Sequence, residues 1–520
     1  MVRIMRRARL ALVAGVSGAL LMVGQAAAAP GGNGWNSAGG DRSNTRNAAS
    51  ETKISPSTVG DLTPKWVLTA GGDVSATPAV DGTRVYVPDW AGNLYAVDRM
   101  TGEVAWQASI PDITGVPGNK ARATPAFTDT TLVVGDQGPF GGGGRVIALD
   151  KATGAARWVT QVDSNPGAII TQSATIFDDV VYVGVASQEE AYSALVPGYD
   201  CCTFRGSLVA LDLATGSILW KTYMTPEDFP GVAVWGSSPA VDPKRGTVYI
   251  ATGNNYDVPQ DVLDCVAAAG TDPVAQRACL PPEDLFDSIV ALDMRTGAVK
   301  WATHAISYDA WTVSCIFGNP SNCPSPAGPD YDFGQAPALF KVASGPAKGR
   351  ELLGAGQKSG QYWALDPDTG AVVWETQAGP GGTAGGLQWG SAVDGRRIYT
   401  ANANSNLVEF PDGSGDTSGV WSALDPSTGA ILWQTRPTHG GSTSGPATTA
   451  NGVVFGCALD ADGYMYALDA ATGEILWSFE SGGSCLSGAA ISNGMVYWGS
   501  GYSNFGFGTA NNKLYAFGLN

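Results

Sequence analysis

The sequence predicts an all-β fold, an eight-bladed β-propeller whose N-terminal strand closes the last blade. Three observations predict it. The motif Ala-aliphatic-Asp, two residues, Thr-Gly, three residues, Trp recurs seven times along the chain. An eighth copy is split between the two ends. Composition also favours short strands joined by tight turns: charged residues are only 15% of the 520, and there are 70 Gly and 16 Trp.

The seven complete copies run from Ala96-Val-Asp98 with Trp106, Ala148-Leu-Asp150 with Trp158 and Ala210-Leu-Asp212 with Trp220 to Ala291-Leu-Asp293 with Trp301. They continue through Ala364-Leu-Asp366 with Trp374, Ala423-Leu-Asp425 with Trp433 and Ala467-Leu-Asp469 with Trp477. The chain ends in Leu514-Tyr-Ala-Phe517, the first half of a copy, and Leu62-Thr-Pro-Lys-Trp66 carries the missing half. A ring closed by its own N-terminal strand accounts for the split. Within a unit, Thr77–Val80 reads as the inner strand, Val85–Val87 as the buried strand and Leu94–Val97 as the repeat strand, before the outer strand with Trp106. The Asp side chain caps the turn, Gly supplies positive φ, and the Trp covers the flank of the neighbouring blade.

Successive tryptophans lie 40 residues apart between Trp66 and Trp106 and 81 apart between Trp220 and Trp301. The middle blades therefore carry long insertions, 257–287 and 314–331, of the kind that build sites on a rigid ring.

The net charge of −17 argues against nucleic-acid binding, which needs a basic face. With only two His, His304 and His439, a His-built zinc site or a Ser-His-Asp triad is poorly supplied. There is no Cys-x-x-Cys-His for haem attachment and no strand-bound Gly-x-Gly-x-x-Gly. Arg3, Arg6, Arg7 and Arg9, the apolar Leu10–Val23 and the small residues Ala26–Ala29 read as an export signal over 1–29. The propeller domain then spans 30–520, in the periplasm or outside the cell, and no stretch is expected to cross a membrane. Eight Cys in an oxidising compartment allow 105 pairings. Proximity favours Cys201–Cys202, Cys265–Cys279, Cys315–Cys323 and Cys457–Cys485. The adjacent pair reads either as a small strained ring or as two separately paired cysteines.

Around that pair the chain resembles a known family. Tyr199-Asp-Cys-Cys-Thr-Phe-Arg-Gly206, Trp235-Gly-Ser-Ser-Pro239 with Asp242-Pro-Lys-Arg-Gly246, and Ala251-Thr-Gly-Asn-Asn-Tyr256 are similar to the pyrroloquinoline quinone (PQQ)-dependent alcohol dehydrogenases, above all those acting on polyvinyl alcohol. The resemblance implies PQQ and Ca²⁺ as cofactors. It places a Cys201–Cys202 disulfide on one face of the quinone and Trp235 on the other. It assigns Glu189, Asn254 and Asp309 to the metal, with Glu190 open as the alternative to Glu189, and makes Asp309 the catalytic base. Lys358 and Asn404 would contact the quinone, and Arg205 a cofactor carboxylate. Blade register sets Arg122 and Thr171 level with Ser75, facing the central channel, where Arg122 suits another carboxylate. Trp311 stands where lanthanide-using relatives carry an extra acid, which implies calcium.

The implied activity is oxidation of alcohol groups, of polyvinyl alcohol or similar polymers, with electrons leaving to a separate soluble cytochrome c or another acceptor. The alternatives are a dehydrogenase of small alcohols and a non-catalytic scaffold propeller of the cell envelope.

Overall fold

The computed structural model describes residues 34–520; the expected export signal lies outside them. Eight antiparallel sheets are arranged as the repeat predicts. The first blade is Ala79–Val80, Arg84–Pro88, Asn93–Asp98 and Val104–Ser109, in that order from inside to outside. The eighth is Ala490–Ser492, Met495–Ser500 and Lys513–Gly518, completed by Thr63–Thr69. This last pairing sets Trp66 opposite Ala516 and ties the beginning of the described chain to its end.

The turn chemistry is that of the motif. Asp98 Oδ1 accepts the backbone N–H groups of Met100 and Thr101, both at 2.9 Å. The Gly that follows lies beneath the Trp of the preceding blade. Gly297 has φ +70°, and a Cβ there would sit 2.5 Å from the Trp220 ring. Trp220 Nε1 donates to the Met294 carbonyl at 3.1 Å. The same stacking recurs at Trp66 on Gly102, Trp106 on Gly154, Trp158 on Gly216, Trp301 on Gly370, Trp374 on Gly429 and Trp433 on Gly473. The tryptophans are thus the ring's inter-blade mortar. Gly297→Ala combines positive-φ strain with a clash and is expected to destabilise by about 1–3 kcal/mol, read from denaturant unfolding. Activity per folded molecule should not change.

All four cysteine pairs favoured by proximity are disulfides. Cys265–Cys279 joins the helices Gln260–Ala269 and Pro273–Ala278 of the first insertion. Cys315–Cys323 closes the second insertion, which packs on the short helix Glu189–Leu195: Ser314 Oγ lies 3.0 Å from Ser193 Oγ, and Asn322 Nδ2 donates to the Ser193 and Tyr199 carbonyls. No helix among the described residues is long and apolar enough to cross a membrane.

One element has no counterpart in the repeat. The segment 35–48 runs around the inner edge of the ring. It bonds to blade 1 through Trp35 and Val80, blade 2 through Asn36 and Phe127, blade 4 through Arg42 and Val241, blade 5 through Ser43 and Leu339, blade 6 through Thr45 and Val393, and blade 7 through Ala48 and Thr449. Inner strands of only two to four residues leave backbone groups that this segment satisfies.

Candidate functional site

A slot of about 220 Å³ opens among the inner ends of the middle blades, lined by Arg122, Thr171, Gln188, Glu190, Trp235, Lys358 and Trp389. Trp235 is presented by a turn in which Gly236 and Ser237 both take positive φ, and its Nε1 donates to Asp332 Oδ2 at 3.0 Å. Trp389 meets it edge-on, with ring centroids 5.2 Å apart. The Lys358 ammonium lies 5.5 Å from the Trp235 ring centroid and bonds Asp330 Oδ1 at 2.7 Å and Asp332 Oδ2 at 3.4 Å. Those carboxylates outweigh the burial that alone would lower it, so its pKa stands above the ordinary lysine value.

Arg122 faces the rings of Trp389 at 4.7 Å, Trp90 at 5.5 Å and Tyr502 at 5.9 Å. Among the described residues it has no carboxylate partner. The Thr171 hydroxyl is buried without a hydrogen bond. Both therefore have capacity for an anionic group.

Behind the slot lies a shell of buried carboxyls. Asp309 is fully buried; its Oδ1 accepts the Asp330 N–H at 3.0 Å and its Oδ2 the Tyr331 N–H at 2.7 Å. Burial pushes its pKa up to about 7 against the pull of those two donors. Asp287, at φ +41°, is buried beside Asp309, and burial first, then Asp309, holds it well above the usual carboxylate range. Glu190 is pushed up to about 8 by burial, moderated by Lys358 and reinforced by Asp332 and Asp309. Its Oε1 is buried without a partner. Asn254 joins this shell: its N–H donates to Asp332 Oδ1 at 2.8 Å. Its Nδ2 is held by the Asn255 and Trp311 carbonyls, both at 2.9 Å, which fixes the amide orientation.

Four expectations need correction: those for Glu189, Asn404, Arg205 and the cysteine pair. Glu189 is also buried, but both its oxygens are occupied: Oε1 accepts from Tyr199 Oη at 2.6 Å and Thr203 Oγ1 at 3.0 Å, and Oε2 from the Thr203 N–H at 3.0 Å and the Phe204 N–H at 2.7 Å. It anchors the loop after the cysteines; Glu190, not Glu189, lines the slot. Asn404 does not reach the slot. Its Nδ2 serves the Val408, Thr417 and Ser418 carbonyls and its Oδ1 the Val408 N–H, so it braces its own loop. Arg205 donates to the Thr225 carbonyl, covers the Tyr223 ring at 4.2 Å and lines a separate open cleft of about 820 Å³. Cys202 borders that cleft and packs on the same apolar cluster as Trp235; neither cysteine lines the slot.

Asp330, Asp332, Asp287 and Trp389 went unread in the sequence. Asp330-Tyr-Asp332, at the end of a cysteine-closed insertion, was the available signal for two of them.

Among the described residues no group of three or more His, Cys, Asp or Glu forms a metal cage by itself. The donor set is nevertheless all oxygen, and Glu190 Oε1 is buried without a partner, so the residues fit a hard cation bound jointly by carboxylate, amide and a ligand in the slot. With no metal bound, the raised acids keep protons that the unfolded chain releases above its ordinary carboxylate values. Stability is then full below about pH 4 and is lost as pH rises through about 7 for Asp309 and about 8 for Glu190. The melting temperature of the metal-free protein should accordingly fall between pH 5 and pH 8, and calcium should flatten the slope.

An eight-bladed propeller with an aromatic, arginine- and lysine-lined slot at its hub, backed by carboxyls, defines a cofactor-binding propeller class. A PQQ-type family model described as outer membrane protein assembly factor BamB matches residues 23–303 and 358–518, and one described as glucose/ethanol/alcohol dehydrogenase, beta-propeller domain, matches 223–386. A polyvinylalcohol dehydrogenase of Sphingopyxis sp. (strain 113P3) is 33% identical over 426 residues, 77% of this chain and 58% of that protein. One from Pseudomonas sp. is 30% identical over 513 residues, 90% of this chain and 73% of that protein. The crystal structure of quinohemoprotein alcohol dehydrogenase from Comamonas testosteroni superposes with a TM-score of 0.68 at 20% identity, over 94% of this chain and 80% of that one. The chain belongs to the PQQ-dependent alcohol dehydrogenase family of propeller quinoproteins, in which the polyvinyl alcohol dehydrogenases are its relatives.

Proposed function

We propose that this chain oxidises secondary alcohol groups, those of polyvinyl alcohol or similar polymers, with PQQ and calcium, and passes the electrons to a separate acceptor such as a soluble cytochrome c. The observation that carries the reading is the slot itself: an aromatic wall, two cations and a partnerless carboxylate oxygen around a space of about 220 Å³. When bound, PQQ supplies the two-electron acceptor and calcium the Lewis acid.

The chain's own residues do the rest. Trp235 offers a flat apolar face to a planar ring. Arg122 and the Thr171 hydroxyl receive carboxylates at the hub. Glu190 and Asn254 provide oxygens for calcium, with Glu190 in the role first given to Glu189. Lys358, fixed by Asp330 and Asp332, keeps a positive charge at the slot wall where negative charge develops. Asp309, oriented by two backbone N–H groups, takes the proton of the alcohol hydroxyl. Cys202 of the disulfide borders the open cleft beside the site, which has room for a polymer segment.

Dye-linked assays of the PQQ- and calcium-loaded protein on polyvinyl alcohol and on short primary and secondary alcohols test the substrate. The expected result is a higher kcat/KM, per hydroxyl, on the polymer than on any short alcohol. A preference for a short alcohol would instead make the protein a small-alcohol dehydrogenase.

A further inference from the structure

The hub contains a second chamber, of about 50 Å³, that shares Arg122, Thr171 and Trp389 with the slot but adds Arg46. Arg46 comes from the segment 35–48 that closes the ring's inner edge. It is 2% exposed, and no carboxylate among the described residues pairs with it. Its Nε and Nη1 are buried without any acceptor, and Nη2 reaches only the Trp389 carbonyl, at 3.4 Å.

The guanidinium is held in place. A Cβ on Gly390 would collide with Nε, and one on Gly488 would come within 3.1 Å of Nη1. Burial lowers the Arg46 pKa to about 9, which still leaves the group charged at neutral pH. A buried cation with two unused donors is destabilising unless something answers it. The Thr171 hydroxyl, equally unpartnered, borders the same chamber.

We propose that this chamber is an anion site, and that it binds a single halide ion against the Arg46 Nε and Nη1 donors. The chamber, about 50 Å³ against about 220 Å³ for the slot, is small enough to suit a monatomic anion better than a multi-ring ligand. Arg46 does not line the slot, so the site stands whether or not the proposed quinone chemistry is right. Its effect would be to lock the N-terminal segment onto the hub.

The test uses the purified full-length protein, with and without PQQ and calcium. Melting temperature is measured at constant ionic strength in sodium gluconate, chloride and bromide. The expected result is a saturable rise in chloride and bromide that is absent in Arg46→Gln. Bromide-soaked crystals of the unsubstituted protein provide a readout that does not depend on the variant folding: an anomalous peak is expected within hydrogen-bonding distance of Arg46 Nε and Nη1. The same halide response in Arg46→Gln as in the unsubstituted protein, no peak at Arg46, or a peak that disappears on loading PQQ would each overturn the proposal. The last result would mean that the guanidinium serves a cofactor carboxylate.

Discussion

Glu190→Gln should lose calcium affinity by at least about 100-fold, while Glu189→Gln should keep it within a few-fold. Substituting residues one shell removed from a metal already costs 10–100-fold, and loss of a direct carboxylate ligand should cost no less. The reason for the contrast is geometric. Glu190 presents an unpartnered Oε1 in a wall of the slot. Glu189 instead holds down the loop after the disulfide through Tyr199, Thr203 and Phe204. Glu189→Gln should therefore appear as a loss of stability, about 1–3 kcal/mol for weakened charge-assisted hydrogen bonds. Isothermal titration of calcium into the PQQ-loaded variants, with denaturant unfolding of each, separates the two roles. Equal losses of calcium affinity in both variants would refute the assignment to Glu190.

Asp309→Asn should reduce kcat by about 10²–10⁴-fold and leave PQQ binding within a few-fold of normal. The amide keeps one acceptor oxygen, enough for only one of the Asp330 and Tyr331 N–H groups, and it cannot take a proton. The pH profile adds a second readout. Asp309 works as a base only when ionised, and its pKa is pushed up to about 7, so turnover in the unsubstituted enzyme should rise with pH on its acid limb. Residual turnover in Asp309→Asn should lose that limb. Turnover near the unsubstituted level would remove Asp309 from the mechanism.

The scaffold was legible because it is written many times over. Each Asp-x-x-Thr-Gly turn and each Trp repeats one local solution, seen at Asp98 with Thr101 and at Trp220 on Gly297. The split eighth copy disclosed the closure between Thr63–Thr69 and Lys513–Gly518. The segment 35–48 repeats nothing, so its path round the hub could not be read.

The site was legible in part, for a different reason. Arg122 and Thr171 reach the slot because blade register fixes which strand ends face the hub, whereas Trp235 and Lys358 were legible through the family resemblance. Glu189 and Glu190 are neighbours on one helical turn, about 100° apart, so register cannot say which carboxylate faces inward. Asn404 ends its strand as Asn254 does, yet its loop supplies carbonyls that consume the whole amide. Asp287, Asp330 and Asp332 lie in loops, where only tertiary packing brings carboxyls together.

The most direct test is whether the protein retains a quinone. The purified protein is incubated with PQQ in calcium and in excess EDTA, desalted, and its absorption spectrum recorded. The expected result is about one PQQ per chain retained with calcium, with a bound-quinone spectrum, and much less after EDTA or in Glu190→Gln. A protein that retains no PQQ in calcium would contradict the account and leave the propeller as a scaffold.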